Sequence, residues 1–108
     1  MFEDLLQSLQ ATGIPFEAYI WSAAPKVDYG TLSIIGGGDT MEGDNGTVEQ
    51  AIMCTCDLFV HGKSTSKPKQ IQEALNAFDG ITWRLDSVQY ETETRMIHWS
   101  WDVSMRCL

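Results

Sequence analysis

Apolar and polar residues alternate most clearly near the C-terminus, in two runs. In the first, Ile81, Trp83, Leu85 and Ser87 point one way, and Thr82, Arg84 and Asp86 the other. A polar break follows at Glu91–Thr94. Then Ile97, Trp99, Trp101, Val103 and Met105 form one face, opposite Met96, His98, Ser100, Asp102 and Ser104. Period-two spacing rich in β-branched and aromatic residues predicts strands, and the break predicts a hairpin over Ile81–Met105. Each large side chain buried there contributes roughly 1.5–3 kcal/mol. This hairpin is therefore expected to carry the core.

The rest of the chain supplies further elements. Phe2, Leu5, Leu6 and Leu9 fall at helical spacing, with Glu3 and Asp4 in the first turn, where acids suit the helix dipole. Gly13 and Pro15 end this helix. In Phe16–Ser22, Phe16, Ala18 and Ile20 alternate with Glu17, Tyr19 and Trp21, which predicts a strand with bulk on both faces. Tyr29–Ile35 predicts a second strand. Gly36–Gly46 holds five glycines with Asp39, Glu42 and Asp44, and reads as a long acidic loop. Thr47–His61 predicts a long strand. Its core side is Gln50, Ile52, Cys54, Cys56, Leu58 and Val60; its mixed side is Glu49, Ala51, Met53, Thr55, Asp57, Phe59 and His61. Ser66 is the expected cap of a second helix, with Pro68 in its first turn and Ile71, Ala74, Leu75 and Phe78 as its apolar stripe.

The predicted order is α-β-β-β-α-β-β. It implies an α+β fold, a mostly antiparallel five-stranded sheet with both helices on one face, formed by residues 1–108 as a single domain. No apolar run approaches the ~20 residues of a membrane helix. Met1-Phe2-Glu3-Asp4 is acidic where a secretory signal is basic, so the chain is expected to stay in the cell that makes it or to leave by a route that needs no signal.

The net charge of −8 opposes binding to a phosphate backbone, which is built from Lys and Arg contacts. It fits solubility and mutual repulsion; a surface imitating DNA is the sharper alternative. Cys54, Cys56 and Cys107 are odd in number and do not predict a disulfide framework. Cys54 and Cys56 read as small buried hydrophobes.

The triple glycine is not followed by Gly-Lys-Ser/Thr, so it does not read as a phosphate loop. Cys54-x-Cys56 with His61 lacks the spacing of a zinc site, and His61 has the opposite strand parity. His98, Ser100 and Asp102 share a face, but neighbours along one strand do not aim at one another, and no nucleophile elbow is present. Asp86 and Asp102 are expected to flank Arg84 and Arg106 as cross-strand ion pairs. No catalytic residue, metal ligand or cofactor follows from these patterns. Tyr19, Trp21, Phe59 and Tyr90 fall outside the expected core, and exposed aromatics mark a protein interface more often than a ligand site.

One arrangement of elements is familiar. The segment Cys56-Asp57-Leu58-Phe59-Val60-His61-Gly62-Lys63-Ser64 leads into Pro68-Lys69-Gln70-Ile71-Gln72-Glu73-Ala74-Leu75-Asn76. The chain then closes on Ile81-Thr82-Trp83-Arg84-Leu85 and Ile97-His98-Trp99-Ser100-Trp101-Asp102-Val103. This order resembles the tail-completion or tail-terminator proteins, minor tail components of long-tailed bacteriophages. The resemblance implies a non-enzymatic structural protein of the virion, made in the host cytoplasm. Its α+β subunits would assemble as a homo-oligomeric ring, usually a hexamer, at the head-proximal end of the tail tube. Partners would be a tail-tube or head-completion protein. DNA would pass through the ring without being read by sequence. The resemblance makes Gly36–Gly46, with Asp39, Met41, Glu42 and Asp44, the stacking loop, and Tyr19, Trp21 and Phe59 interface candidates. The alternative function is a small ligand-binding domain or enzyme, with a pocket between sheet and helices lined by Trp83, Trp99 or Trp101 and with His98 or Asp102 at its mouth.

Overall fold

The computed structural model describes residues 1–37, 41–42 and 48–107. It contains α1 (Phe2–Gln10), β1 (Phe16–Ala18), β2 (Tyr29–Gly37), β3 (Met41–Glu42), β4 (Val48–His61), α2 (Ser66–Ala77), β5 (Ile81–Glu91) and β6 (Met96–Cys107). Five strands lie side by side in the order β1-β2-β4-β6-β5, and β3 pairs with the start of β4. The α+β architecture with two helices is as expected. The sheet is mixed, because β1 runs parallel to β2 while the other pairings are antiparallel.

The helices form where the apolar spacing places them. Leu5 and Leu9 of α1, and Pro68, Ile71 and Leu75 of α2, are buried. Gly13, at φ +87°, turns the chain after α1 in a conformation that a side chain disfavours. The N-cap of the second helix lies one residue earlier than expected. Thr65 is the N-cap, Ser66 is the first helical residue, and the Ser66 N–H donates to Ser64 Oγ at 3.3 Å. No described helix is long and apolar enough to cross a membrane.

Both helices contribute to one core on one face of the sheet. It joins Leu5, Leu9, Ile71 and Leu75 to Leu32, Cys54, Cys56, Leu58, Val60, Trp101, Val103 and Met105. Register explains the selection: Leu32 pairs with Cys56, and Cys56 with Trp101, so even-numbered positions of β2 and β4 meet odd-numbered positions of β6. Trp101 is fully buried, and its Nε1–H donates to Gln72 Oε1 of α2 at 3.1 Å. Gly30 is required at its position. A Cβ there would lie 2.3 Å from the Phe16 ring and 2.8 Å from the Asp57 carbonyl oxygen.

Three expectations are corrected. In the loop expected over Gly36–Gly46, β2 extends through Gly37, and Met41 and Glu42 pair with the start of β4 as β3. The strand predicted over Phe16–Ser22 stops at Ala18. Tyr19 adopts φ +66°, and the Ile20 N–H donates to Ala18 O at 2.8 Å, closing a tight three-residue turn. In the hairpin, the register shifts between Leu85 and Ser87, leaving Asp86 as the extra residue of a bulge. Ser87 therefore pairs with Ser100 on the uncovered face, and not beside Leu85 as the simple alternation predicts. Val88 and Tyr90 take over the helix side, opposite Trp99 and Ile97.

Candidate functional site

The face turned away from the helices is built by the second set of alternating positions. Tyr29 of β2 pairs with Phe59 of β4, and Phe59 with His98 of β6. Because cross-strand partners sit side by side, their rings form a row. Tyr29 stacks on Phe59 with ring centroids 4.9 Å apart, and Phe59 on His98 at 4.3 Å. Trp21 extends the row edge-on to Tyr29 at 6.1 Å, and its Nε1–H donates to Gly30 O at 3.1 Å. Tyr19 leans the other way, stacked on Phe2 of α1 at 6.0 Å. A groove of about 340 Å³ runs among Tyr19, Ile20, Trp21, Tyr29, Thr31 and Phe59.

A polar row lies beside the aromatic one. Glu17 of β1 pairs with Thr31, Thr31 with Asp57, and Asp57 with Ser100. Asp57 Oδ1 bonds His98 Nε2 at 2.7 Å, and Thr55 Oγ1 donates to Asp57 Oδ2 at 3.2 Å. Glu91 Oε2 lies 3.7 Å from His98 Nδ1. The hydrogen bond to Asp57 holds His98 above the ordinary histidine value, against the opposing effect of burial and with help from the charges of Asp57 and Glu91. Burial, reinforced by Glu91, raises Tyr29.

At one end of this face Asp28 ties three segments together. It accepts from the His61 backbone N–H at 2.8 Å and from Lys67 Nζ at 2.7 Å, and lies 2.9 Å from His61 Nδ1. Burial pushes its carboxyl up, but the bonds from Lys67 and His61 outweigh that and leave it below its ordinary value. Across the sheet, Arg84 Nη2 reaches Asp102 Oδ2 at 3.1 Å, the cross-strand pair expected from the alternation.

The sequence-predicted residues are dispersed. Tyr19, Trp21 and Phe59 gather around the groove. Met41 and Glu42 form β3, and Asp39 and Asp44 lie outside the described residues. Trp99 and Trp101 sit on the helix side, whereas His98 and Asp102 face the other way, so the sheet separates the residues expected to line one pocket. Cys54 and Cys56 are wholly buried. Burial pushes both thiols up, and Cys56 is raised further by Asp57 and Cys54. Such thiols are poor nucleophiles. His61 lies on the opposite face from them, beside Asp28.

Several participants were not singled out from sequence. Tyr29, Asp28 and Ile20 gave no local signal, because their importance depends on which strands are neighbours. The Asp57–His98 pair was detectable only as matching parity on two strands of unknown register. The comparisons add no relative: no protein-family model and no curated protein matches the chain.

Proposed function

We propose that the chain is a non-enzymatic structural subunit of a long-tailed phage virion, a tail-terminator or head–tail joining protein that forms a ring by self-association. The observation that carries this reading is a pair of exposed apolar patches at opposite edges of one sheet. At the β5 edge, Leu85, Val88 and Tyr90 are 43, 46 and 61% exposed. Just after β1, Tyr19 and Ile20 are 53 and 80% exposed. A ring of identical subunits needs two different patches per copy that meet head to tail. Apolar clusters of this kind mark contact surfaces, and an eleven-residue edge strand offers unpaired backbone groups for the same purpose. The resemblance in element order supplies the biological setting: a ring, hexameric by analogy, in the virion, seated against a tail-tube or head-completion protein. The net charge of −8 would let DNA slide through such a ring without sticking.

Light scattering coupled to size-exclusion chromatography tests the reading. A single closed oligomer is expected at high protein concentration. Val88→Lys and Ile20→Lys should each dissociate it. Mixing the two variants should restore one junction and give a dimer, because each keeps the patch the other has lost. A strictly monomeric wild-type chain at high concentration would refute the proposal.

A further inference from the structure

The Asp57–His98 pair extends to a third residue, and that residue holds the tip of the β5–β6 hairpin. His98 of β6 stands between two carboxylates on opposite neighbouring strands. Asp57 Oδ1 of β4 lies 2.7 Å from Nε2, and Glu91 Oε2 of β5 lies 3.7 Å from Nδ1. Stacking on Phe59, with centroids 4.3 Å apart, fixes the plane of the ring. An ionised carboxylate only accepts hydrogen bonds, so both ring nitrogens must carry a proton to satisfy both neighbours. The imidazolium does this; the neutral ring serves one side and turns a lone pair to the other. Asp57 is the side that keeps its bond. It is the closer and less exposed carboxylate, and Thr55 Oγ1 holds its other oxygen at 3.2 Å.

Glu91 is then left facing the lone pair, and the tip depends on Glu91. Its backbone oxygen accepts from the Arg95 N–H at 2.8 Å, and its Oε1 accepts from Thr94 Oγ1 at 3.2 Å. Arg95 adopts φ +57°, a left-handed conformation that costs energy, so the turn relies on these bonds. The other ionisable groups of this face are engaged elsewhere or set further off. His61 of β4 turns to Asp28 at 2.9 Å, Asp102 of β6 pairs with Arg84, and Tyr29 of β2 lies beyond Phe59. The partner of His98 on β5 is the uncharged Gln89. The charges that act on His98 are those of Asp57 and Glu91.

We propose that His98 is a proton-operated clamp on the hairpin tip. As the imidazolium it joins Asp57 to Glu91 and orders residues 92–95; on losing its proton it releases Glu91 and loosens them. The clamp is closed at low pH and opens as pH rises through the His98 midpoint. The coupling is reciprocal: the factor by which Glu91 raises the proton affinity of His98 is the factor by which the proton strengthens the hold on Glu91. All the parts lie within one copy, so the clamp does not depend on self-association.

Nuclear magnetic resonance of the full chain across a pH titration tests this. The ring-nitrogen shifts of His98 report its protonation, and the backbone heteronuclear NOEs of Thr92–Arg95 report the order of the tip. In the wild type the NOEs should fall as His98 loses its proton, with the same midpoint. Glu91→Gln keeps an acceptor for Thr94 and removes the charge. It should lower the proton affinity of His98 about twofold to fivefold, the range of a half-exposed ion pair. It should also leave the tip equally mobile on both sides of the midpoint. His61→Gln should change neither result, which separates the clamp from the neighbouring pair with Asp28. Wild-type tip order that ignores the His98 midpoint would overturn the proposal. So would an unaltered His98 proton affinity in Glu91→Gln, or a tip response that persists there. A response that disappears in His61→Gln would move the switch to the Asp28 pair, and the proposal would fall.

Discussion

Single residues on the two faces answer to different physics. On the helix side, shape decides. Gly30→Ala is expected to destabilise the fold by about 1–3 kcal/mol, because the new methyl must displace the Phe16 ring or the β4 backbone; urea denaturation measures it. The two stacked tryptophans of β6 should differ in the same assay. Trp101 Nε1–H is bonded to Gln72, whereas Trp99 Nε1 is buried without a hydrogen-bond partner among the described residues. Trp101→Phe loses this bond to half-buried Gln72, adding about 0.5–1.5 kcal/mol to the loss of volume. Trp99→Phe removes an unpaired donor and should cost less. On the uncovered face, charge decides. His98 is held above its ordinary value of 6.5, so its pairing with Asp57 stabilises the fold fully below that value. The contribution fades as pH rises through the raised value. The melting temperature of the wild type should exceed that of His98→Gln by more near about pH 6 than near about pH 9.

At the scale of elements, the edges of the sheet are the informative places. The β1 edge is short because the Tyr19 turn ends it after three residues. The β5 edge is long, and the bulge at Asp86 is its evident protection, since a bulge twists an edge away from chance pairing. Deleting Asp86 leaves every recorded β5–β6 pair in place and straightens the strand. The deletion variant is expected to fold, with an unchanged far-ultraviolet dichroism spectrum, and to aggregate faster by light scattering. The bulge also hands the helix side of β5 from Leu85 to Val88 and Tyr90. All three remain exposed, and that gives the proposed junction its apolar strip.

For the molecule as a whole, shape and charge pull in opposite directions. The molecule is elongated, 51 × 26 × 25 Å, with its apolar patches at the two sheet edges. Its charge of −8 makes copies repel. Salt screens that repulsion while leaving apolar contact intact. Raising the ionic strength from about 0.01 to about 0.15 M, which shortens the screening length from roughly 30 to 8 Å, should therefore increase the oligomeric fraction in analytical ultracentrifugation. A fraction that falls with salt would mean that ion pairs, not the edge patches, hold the subunits.

The alternation of Cys54, Cys56, Leu58 and Val60 was enough to identify the buried side of the long strand, because the strand period is an intrinsic property of extended backbone. The same holds for Trp101, Val103 and Met105, and for the helical stripes through Leu5, Leu9, Ile71 and Leu75. These local periodicities determined both helices, the long strands, the α+β class and most of the core. The sequence alone did not determine the parallel pairing of β1, the turn at Tyr19, the bulge at Asp86 or the partners of His98. Each depends on contacts between residues far apart in the chain, whose register no local pattern encodes. Only tertiary structure set Tyr29, Phe59 and His98 in one row, because a row across strands is a property of the sheet and of none of its strands.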